Sequence, residues 1–208
     1  MSVKLKWITP NAEQEIIDIA RVSSPKEVGS EGKGLIRYLI RNKHWSPFEM
    51  ADMCVEIHTT RDIAHQLIRH RSFNFQEFSQ RYAGVPNKPV FREARLQDPK
   101  NRQNSIEFED QDLKEDWLLS QEEVWEEAIS KYEYYLEEGM AKECARALLP
   151  EGLTPTRVYM KGDFRSWMHF YEARSYAGAQ KEIRQIAFEV GELLMEHVPT
   201  LYGAIYEV

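Results

Sequence analysis

The chain has 208 residues, of which 42% are hydrophobic and 29% charged, and its formal net charge is -7. These values fit one folded domain with a sizeable core. The acidic balance argues against a general nucleic-acid binder, which needs basic residues to neutralise phosphates. No apolar run approaches the roughly 20 residues that cross a bilayer, and the N-terminus does not resemble a secretion signal. Because Cys54 and Cys144 form neither a disulfide framework nor a metal-type spacing, we expect a cytoplasmic protein.

The first 60 residues predict strands and helices in alternation. Residues 3–9 predict a short strand, and a helical pattern begins at Asn11. A second helix is predicted over 33–43, where apolar residues recur on one stripe. Residues 51–60 alternate between apolar and polar side chains, which predicts a half-buried strand with Cys54 on its polar face.

The middle of the chain predicts a helix over 61–70 and then a long segment without a packed element. Residues 86–116 contain three prolines and few apolar side chains, so they are interpreted as a surface excursion. Ser120 and Glu123 have the spacing of a capping box, which predicts the start of a helix there. Gly139 is expected to end that helix.

The last third predicts a short helix over 140–148, a strand over 156–164, and helices over 165–174 and 179–197. Cys144 has apolar neighbours in the short helix, which predicts a core position. Strands and helices occur in a mixed order without an internal repeat, so the predicted fold class is α+β.

The most informative stretch for function is 69–82, which holds three arginines, a histidine, a glutamate and two serines. Arginine presents a planar fork of donors that suits phosphate oxygens, so a nucleotide-phosphate site is one interpretation. A solvated basic helix end is the other, since charge runs are usually exposed faces.

The order of these residues resembles the signature of the flavin-dependent thymidylate synthases. Arg69-His70-Arg71 is followed, after seven residues, by Ser79 and then by Arg81-Tyr82. Other stretches resemble the same family in the same order. They are Ala20-Arg21-Val22-Ser23, His44-Trp45-Ser46-Pro47-Phe48-Glu49, Gln66, Ala145-Arg146, Leu149-Pro150, Thr156-Arg157, Arg165-Ser166, Arg174 and Gln180.

The resemblance implies a fold, an assembly and a reaction. The fold would be a mostly antiparallel central sheet packed with long helices, in a single domain that assembles as a homotetramer. The reaction would be the reductive methylation of dUMP to dTMP. Its carbon donor would be 5,10-methylenetetrahydrofolate, and FAD reduced by NADPH would supply hydride. Each active site would be shared between subunits, which explains how a chain without a Gly-x-Gly-x-x-Gly turn could bind a dinucleotide.

The resemblance also implies site residues. Those expected at dUMP are Gln66, Arg69, Glu77, Ser79, Gln80, Arg81, Arg146 and Arg174. Those expected at FAD are Ser23, Ser46, Glu49, Arg69, His70, Arg71, Glu77, Asp163, Arg165 and His169. The catalytic set is expected to be Arg174, Arg81, His44 and Ser79, with His44 helping to place the methylene donor.

The family is understood to work without an enzyme nucleophile, so its arginines would polarise the uracil carbonyls directly. Ser79 resembles a nucleophile candidate, but a serine without a neighbouring base is weakly activated, and binding is favoured. The chain also departs from the family pattern at several positions, most of which would border the flavin. These are Met50, Asn74, Gln76, Asp163, His169 and Gly178. A carboxylate at Asp163 could change the flavin potential.

Two other classes of protein, a metal enzyme and a nucleic-acid-binding module, are alternative interpretations of the sequence. No two of the six histidines lie at i, i+4 on a predicted helix, and Cys-x-x-Cys is absent, so zinc-type spacing is lacking and no metal is expected. Stoichiometric metal in the pure protein would support the interpretation as a metal enzyme. Arginines do interleave with Phe73, Phe75 and Phe78, as in proteins that bind single-stranded nucleic acid. The negative net charge of the chain argues against this interpretation, because nucleic acid is itself negatively charged.

Overall fold

The computed structural model describes residues 1–22 and 32–206. In these ranges two 3₁₀ helices, Ser46–Glu49 and Arg146–Leu148, accompany the regular elements. Within the described ranges the strands and α-helices are, in chain order, β1 (Ser2–Ile8), α1 (Ala12–Ala20), α2 (Lys33–Arg41), β2 (Asp52–Thr60), α3 (Arg61–Leu67), β3 (Asn74–Glu77), β4 (Leu96–Gln97), β5 (Ser105–Ile106), α4 (Gln111–Glu137), α5 (Lys142–Ala145), β6 (Pro155–Asp163), α6 (Phe164–Ser175), α7 (Lys181–His197) and α8 (Pro199–Tyr206).

Four strands form an antiparallel sheet in the order β1-β2-β6-β3. β2 and β6 pair over their whole lengths, with Asp52 opposite Asp163 and Thr60 opposite Pro155. The short β3 pairs with the other side of β6, so β6 has hydrogen-bonded neighbours on both sides. The two ends of β6 therefore lead to different parts of the molecule, and each end carries candidate site residues.

The main core lies between this sheet and the helices. α7 packs against α6, α8 and β1, and its apolar side chains at helical spacing are buried. A smaller apolar cluster joins the long helix α4 to the segment after β3 and to α5. Tyr132 lies in that cluster, and its hydroxyl accepts a hydrogen bond from the backbone N–H of Val85 at 3.1 Å. This second cluster positions the chain that follows the Arg-rich stretch.

The α+β class and the antiparallel sheet were predicted correctly. The strands predicted over 3–9, 51–60 and 156–164 and the helices over 33–43, 165–174 and 179–197 all form within a few residues of their expected bounds. In β2 the expected apolar face is fully buried at Met53, Val55 and Ile57. Among the described residues, no helix is both long enough and apolar enough to span a bilayer.

The predicted capping box is wrong. Ser120 and Glu123 lie in the interior of α4, which begins nine residues earlier at Gln111. The cap is Asp110, whose carboxylate accepts a hydrogen bond from the N–H of Leu113 at 3.0 Å. The last six residues of the predicted excursion over 86–116 are therefore helical, and its remainder contains the β4–β5 hairpin.

Four further details differ from the sequence prediction. The helix predicted over 61–70 ends at Leu67, and the short helix over 140–148 divides into α5 and a 3₁₀ helix. β3 and α8 were not predicted. Pro199 is the first residue of α8, where its missing N–H has no helical partner to lose.

Gly162 lies in β6 where a side chain has no room. A Cβ atom there would lie 2.5 Å from the ring of Phe73, and that ring is itself packed 4.6 Å, centroid to centroid, from Trp167. We expect Gly162→Ala to lower the free energy of unfolding by about 1–3 kcal/mol, measured by urea denaturation. Gly34→Ala in α2, where nothing lies within 4 Å, is the matched control and should be neutral or stabilising. Equal stability of the two variants would contradict this packing.

Candidate active site

The first candidate cluster lies where β3 ends beside the beginning of β6. Glu77 accepts hydrogen bonds from Arg61 Nη1 and from Thr156 Oγ1, both at 2.9 Å and both to its Oε1. Gln80, a few residues on, is only 5% exposed. Glu77 is thus held in place by neighbours from α3 and β6, which leaves its second oxygen available to a ligand.

A polar cavity of about 410 Å³ adjoins this cluster. Within the described part of the chain, the side chain of Arg146 has neither a hydrogen-bond nor an ion-pair partner, so its guanidinium is available to an anion. The cavity is lined by Arg61, Gln80, Glu143, Arg146, Ala147, Leu149, Glu151 and Thr154. Its combination of two arginines with hydroxyl and amide groups can hold a phosphate.

Ser79 and Arg81 stand at the rim of this region. The Ser79 hydroxyl accepts a long hydrogen bond, 3.4 Å, from the backbone N–H of Arg81, and no base contacts it among the described residues. Arg81 Nε donates to Glu143 Oε2 at 2.9 Å, and both side chains are more than half exposed. Exposed pairs of this kind contribute little stability, so a bound phosphate can compete with Glu143 for Arg81.

The second cluster is the turn after α3. Since α3 ends at Leu67, Arg69, His70 and Arg71 lie outside the helix, and His70 contacts α6. Arg69 and Arg71 are exposed and, among the described residues, lack an ion-pair partner. His70 is different, because Arg174 Nε donates to its Nε2 at 2.9 Å and Phe170 packs against its ring edge. The central residue of the Arg-His-Arg motif therefore meets Arg174, 104 positions further along, within one chain.

His70 is held in its neutral form. Burial, and then the positive charge of Arg174 and the proximity of His169, lower the pKa of His70 to about 4. A neutral ring can accept from Arg174 at Nε2, with the proton assigned to Nδ1. The turn thus fixes the guanidinium of Arg174 through an uncharged acceptor.

This arrangement makes stability depend on pH. The pKa of His70 is about 4 in the folded state and about 6.5 in an unfolded chain, so the unfolded state takes up the proton first. The contribution of neutral His70 to the stability of the fold is complete above the unfolded pKa. It is lost as the pH falls from the unfolded pKa toward the folded pKa. We expect the urea midpoint to fall between pH 7 and pH 4, and less steeply in His70→Gln, whose amide does not titrate. Identical slopes in both proteins would contradict this origin.

The third cluster lies at the carboxyl end of β6. Asp163 caps α6 by accepting a hydrogen bond from the N–H of Ser166 at 2.7 Å. Two residues later, Arg165 forms an ion pair with Glu49 of the 3₁₀ helix Ser46–Glu49. The sequence "Ser-Pro-Phe-Glu" and the start of α6, far apart in the chain, are joined by this contact.

The remaining predicted residues are less constrained. His44 is exposed and packs edge-on against Tyr38, with ring centroids 6.0 Å apart. Ser46 is exposed, and His169 lies 3.7 Å from Glu172 on the surface of α6. Ser23 lies outside the described residues.

One chain does not bring all the predicted residues together. The seven steps of β6 from Thr156 to Asp163 span roughly 23 Å at ordinary strand rise. Glu77 contacts the first of these residues, whereas the ion pair of Arg165 follows the last. The two groups therefore lie at opposite ends of one strand, and a single small ligand cannot contact both within one chain.

Several supporting contacts in the site were not predicted from the sequence. Arg61 and Thr156 hold Glu77, and Gln180 accepts a hydrogen bond from Gln66 Nε2 at 2.6 Å. Glu182 in turn accepts one from Gln180. The resemblance to the family pointed to Thr156 and Gln180 as matches, but no pattern in the sequence indicated these contacts.

The cysteines differ from expectation in their burial. Cys54, expected on a polar face, is only 8% exposed, and burial raises the pKa of its thiol. Cys144, expected in the core, is exposed. Within the described ranges, no group of three or more His, Cys, Asp or Glu residues has an arrangement that could hold a metal ion.

Comparisons with known proteins bear on this arrangement. The family model described as "Thymidylate synthase complementing protein" (Thy1) matches residues 4–200. The chain is 48% identical to "Flavin-dependent thymidylate synthase" of Synechocystis sp. over 186 residues, covering 89% of this chain and 86% of that protein. It is 43% identical over 214 residues to "Probable flavin-dependent thymidylate synthase" of Paramecium bursaria Chlorella virus 1, covering 99% of each.

A solved structure gives the same picture. The fold matches the UMP/dUMP methylase PolB from Streptomyces cacaoi bound with 5-Br dUMP, with a TM-score of 0.85 and 28% identity. The match covers 98% of this chain and 93% of that one. The match of nearly the whole chain, the ordered Arg-rich signature and the meeting of that signature with Arg174 lead to one conclusion. The chain belongs to the Thy1 family, the family of the flavin-dependent thymidylate synthases.

Proposed function

We propose that this chain converts dUMP to dTMP, with 5,10-methylenetetrahydrofolate as carbon donor and with FAD, reduced by NADPH, as hydride source. The observation that supports this most strongly is that three arginines of the stretches resembling the family, Arg69, Arg71 and Arg146, have no side-chain partner among the described residues of this acidic chain. Free guanidinium groups on a protein of net charge -7 are typical of a site built for anionic ligands.

The dUMP phosphate would bind at the rim of the polar cavity. Arg146 lines the cavity, and Ser79 and Arg81 flank the cavity-lining Gln80, so that two guanidinium forks and a hydroxyl would be within reach of the phosphate. A bidentate guanidinium contact orients a phosphate as well as neutralising it. Glu77, held by Arg61, would accept from a hydroxyl or imide N–H of the nucleotide.

Arg174 would lie along the pyrimidine together with Gln66 and Arg69. Negative charge on a uracil carbonyl oxygen would belong to an enolate-like pyrimidine, whose electron-rich carbon 5 then attacks the methylene carbon. A fixed guanidinium in a water-poor site stabilises that charge without reorganising. His44 would help to place the folate, and its exposed position leaves it free to do so.

No enzyme nucleophile is needed for this route. Burial raises the pKa of the Cys54 thiol, which disfavours the thiolate that would attack carbon 6. Ser79 has no base beside it in the described part of the chain, so its hydroxyl is weakly activated. The chemistry then depends on polarisation by arginines and on the flavin.

The donor set fits FAD. Arg69, Arg71 and Arg165 can neutralise a pyrophosphate, and the neutral ring of His70 can lie against a flavin edge. Ser23, Ser46, Glu49, Glu77, Asp163 and His169 complete the proposed FAD set. When bound, FAD supplies the hydride that completes the methyl group.

We also propose that four copies assemble and that each site is shared between them. The separation of Glu77 from Arg165 along β6 supports this, because a dinucleotide and dUMP must meet at one place. The long helix α4 supports it as well, since large apolar side chains at several positions along it are exposed on the single chain. These are Leu113, Trp117, Leu118, Leu119, Val124, Tyr134 and Tyr135.

Sharing of sites predicts complementation. We expect Arg146→Ala and Arg174→Ala to be inactive alone and to recover activity when co-expressed, because some sites then receive both arginines from different chains. When the two variants mix randomly in equal amounts, about a quarter of the sites should receive both arginines, so the mixture should show about a quarter of the wild-type activity. Failure of purified mixed tetramers to recover any activity would place both arginines of a site on the same chain.

The experiment that tests the proposed function is a ligand titration followed by absorbance. Purified protein should bind added FAD, show flavin bands, and change those bands on addition of dUMP, because the pyrimidine lies against the flavin. UMP serves as the matched competitor. A folded protein that retains no flavin after excess FAD has been removed would contradict the proposal.

A further inference from the structure

Glu182, in the first turn of α7, is a buried carboxylate outside the residues assigned to either ligand. It is 5% exposed. Arg95 Nη2 donates to its Oε1 at 2.5 Å, and Arg92 Nη1 lies 3.1 Å from its Oε2. Both arginines come from the segment between β3 and α4, so the carboxylate fastens that segment to α7.

The same carboxylate also has a third partner that leads toward the proposed dUMP site. Gln180 Nε2 donates to Glu182 Oε2 at 2.9 Å, and Gln66 Nε2 donates to Gln180 Oε1 at 2.6 Å. Arg95, Glu182, Gln180 and Gln66 are therefore connected in sequence, and we call these four residues the amide relay. It connects a buried ion cluster to a surface amide of α3.

The direction of the relay follows from donor and acceptor chemistry. An ionised carboxylate only accepts, so Gln180 must turn its NH₂ group toward Glu182. Its carbonyl oxygen then faces Gln66, which must present its own NH₂ group in return. Gln66 is left with its carbonyl oxygen and one N–H for a ligand, in a fixed orientation. A neutral group in place of the carboxylate would allow both amides to flip.

The ionised form of Glu182 is the one that the surroundings stabilise. Burial alone would raise the pKa of this carboxyl, but the hydrogen bonds from Arg95 and Gln180 and the charge of Arg92 together hold it below its ordinary value. At neutral pH Glu182 is therefore ionised. Its carboxylate, which is paired with the two arginines, fixes which end of each amide in the relay donates and which accepts.

We propose that Glu182 is a positioning residue that sets the orientation of Gln66 toward dUMP through Gln180. This inference rests on the proposed function, in which Gln66 contacts dUMP. Glu182 touches neither substrate nor cofactor in this proposal, and its effect passes through two amide groups. Since Gln66 binds the nucleotide rather than reacting with it, loss of the relay should weaken binding and leave the chemical step largely intact.

The test compares two changes at different points of the relay. Glu182→Gln removes the charge that directs both amides, and Gln180→Met interrupts the relay while keeping Glu182 paired with Arg95 and Arg92. We expect each to raise the KM for dUMP on the order of five- to tenfold, with kcat changed by less than about twofold. The double variant should be no worse than either single variant, because both act through one contact.

Glu107→Gln is the matched control. Glu107 is an exposed carboxylate that pairs with Lys181, the residue beside Glu182, and it does not belong to the relay. Its KM for dUMP should equal that of the wild type. If Glu182→Gln fails to fold after losing its ion pairs, Gln180→Met alone decides the question.

The outcomes separate the two proposals. A wild-type protein that forms no dTMP defeats the proposed function, whatever the variants do. If the wild type is active and the KM for dUMP is unchanged in Gln180→Met, the positioning role of Glu182 is wrong, and the proposed function is unaffected. A fall in kcat without a rise in KM would also overturn it, because the relay would then act on the chemistry.

Discussion

Arg174→Ala should abolish dTMP formation while the protein still folds and still binds FAD. Arg174 lies at the end of α6 with its Nε on the neutral ring of His70, and that bond leaves its Nη groups for the pyrimidine. Removing one fixed donor to a developing oxyanion typically lowers kcat by about 10²–10³. The rate of dTMP formation, measured by chromatography at saturating dUMP, checks this.

Two matched variants sharpen that result. Arg174→Lys keeps the charge but loses the planar fork, so we expect partial activity between the wild type and alanine. Arg184, whose Nη1 donates to the carbonyl of Ala177 on the same part of the fold, is a control position where alanine should leave kcat unchanged. Full activity in Arg174→Ala would remove Arg174 from the proposed mechanism.

Trp167→Ala should produce the largest loss of stability of any single change considered. The side chain is fully buried, packs against Phe73 and Phe170, and donates its indole N–H to the carbonyl of Met53 at 3.0 Å. Replacing a buried tryptophan by alanine costs about 3–5 kcal/mol from lost burial and the cavity left behind. Urea denaturation of the purified variant measures this directly.

The position of Trp167 makes this a test of the site as well as of the core. Phe73 and Phe170, its two neighbours, also pack against the ring of His70. A collapse of this aromatic cluster should therefore also weaken flavin binding. Trp7→Ala serves as the control, because Trp7 is 47% exposed on β1. A loss below about 1 kcal/mol in Trp167→Ala would contradict the packing described above.

The strands and long helices could be predicted because their side chains repeat with a clear period. β2 alternates along nine residues, and α7 keeps an apolar stripe over its whole length. β3 has only four residues, which is too short for alternation to be recognised, and its existence depends on β6. The start of α4 was misplaced because Ser120 and Glu123 imitate a cap inside a helix.

Site residues could be predicted only where they belong to a local motif with a fixed order and spacing. Arg69, His70 and Ser79 were recognised by spacing, and the family they indicated is confirmed. Contacts between distant segments were not predictable, since nothing local shows that Arg174 would reach His70. Glu182 resembles any exposed charge at a helix start, and only the packing of Arg92 and Arg95 makes it buried.

The most direct test of the central proposal is a turnover experiment with components left out one at a time. Purified protein with dUMP, 5,10-methylenetetrahydrofolate, FAD and NADPH should form dTMP, and omission of any one component should stop it. The double variant Cys54→Ala, Cys144→Ala should remain active, because carbon 6 of uracil needs no thiolate. Formation of dTMP without a flavin, or its loss in the double variant, would contradict the mechanism proposed for this chain.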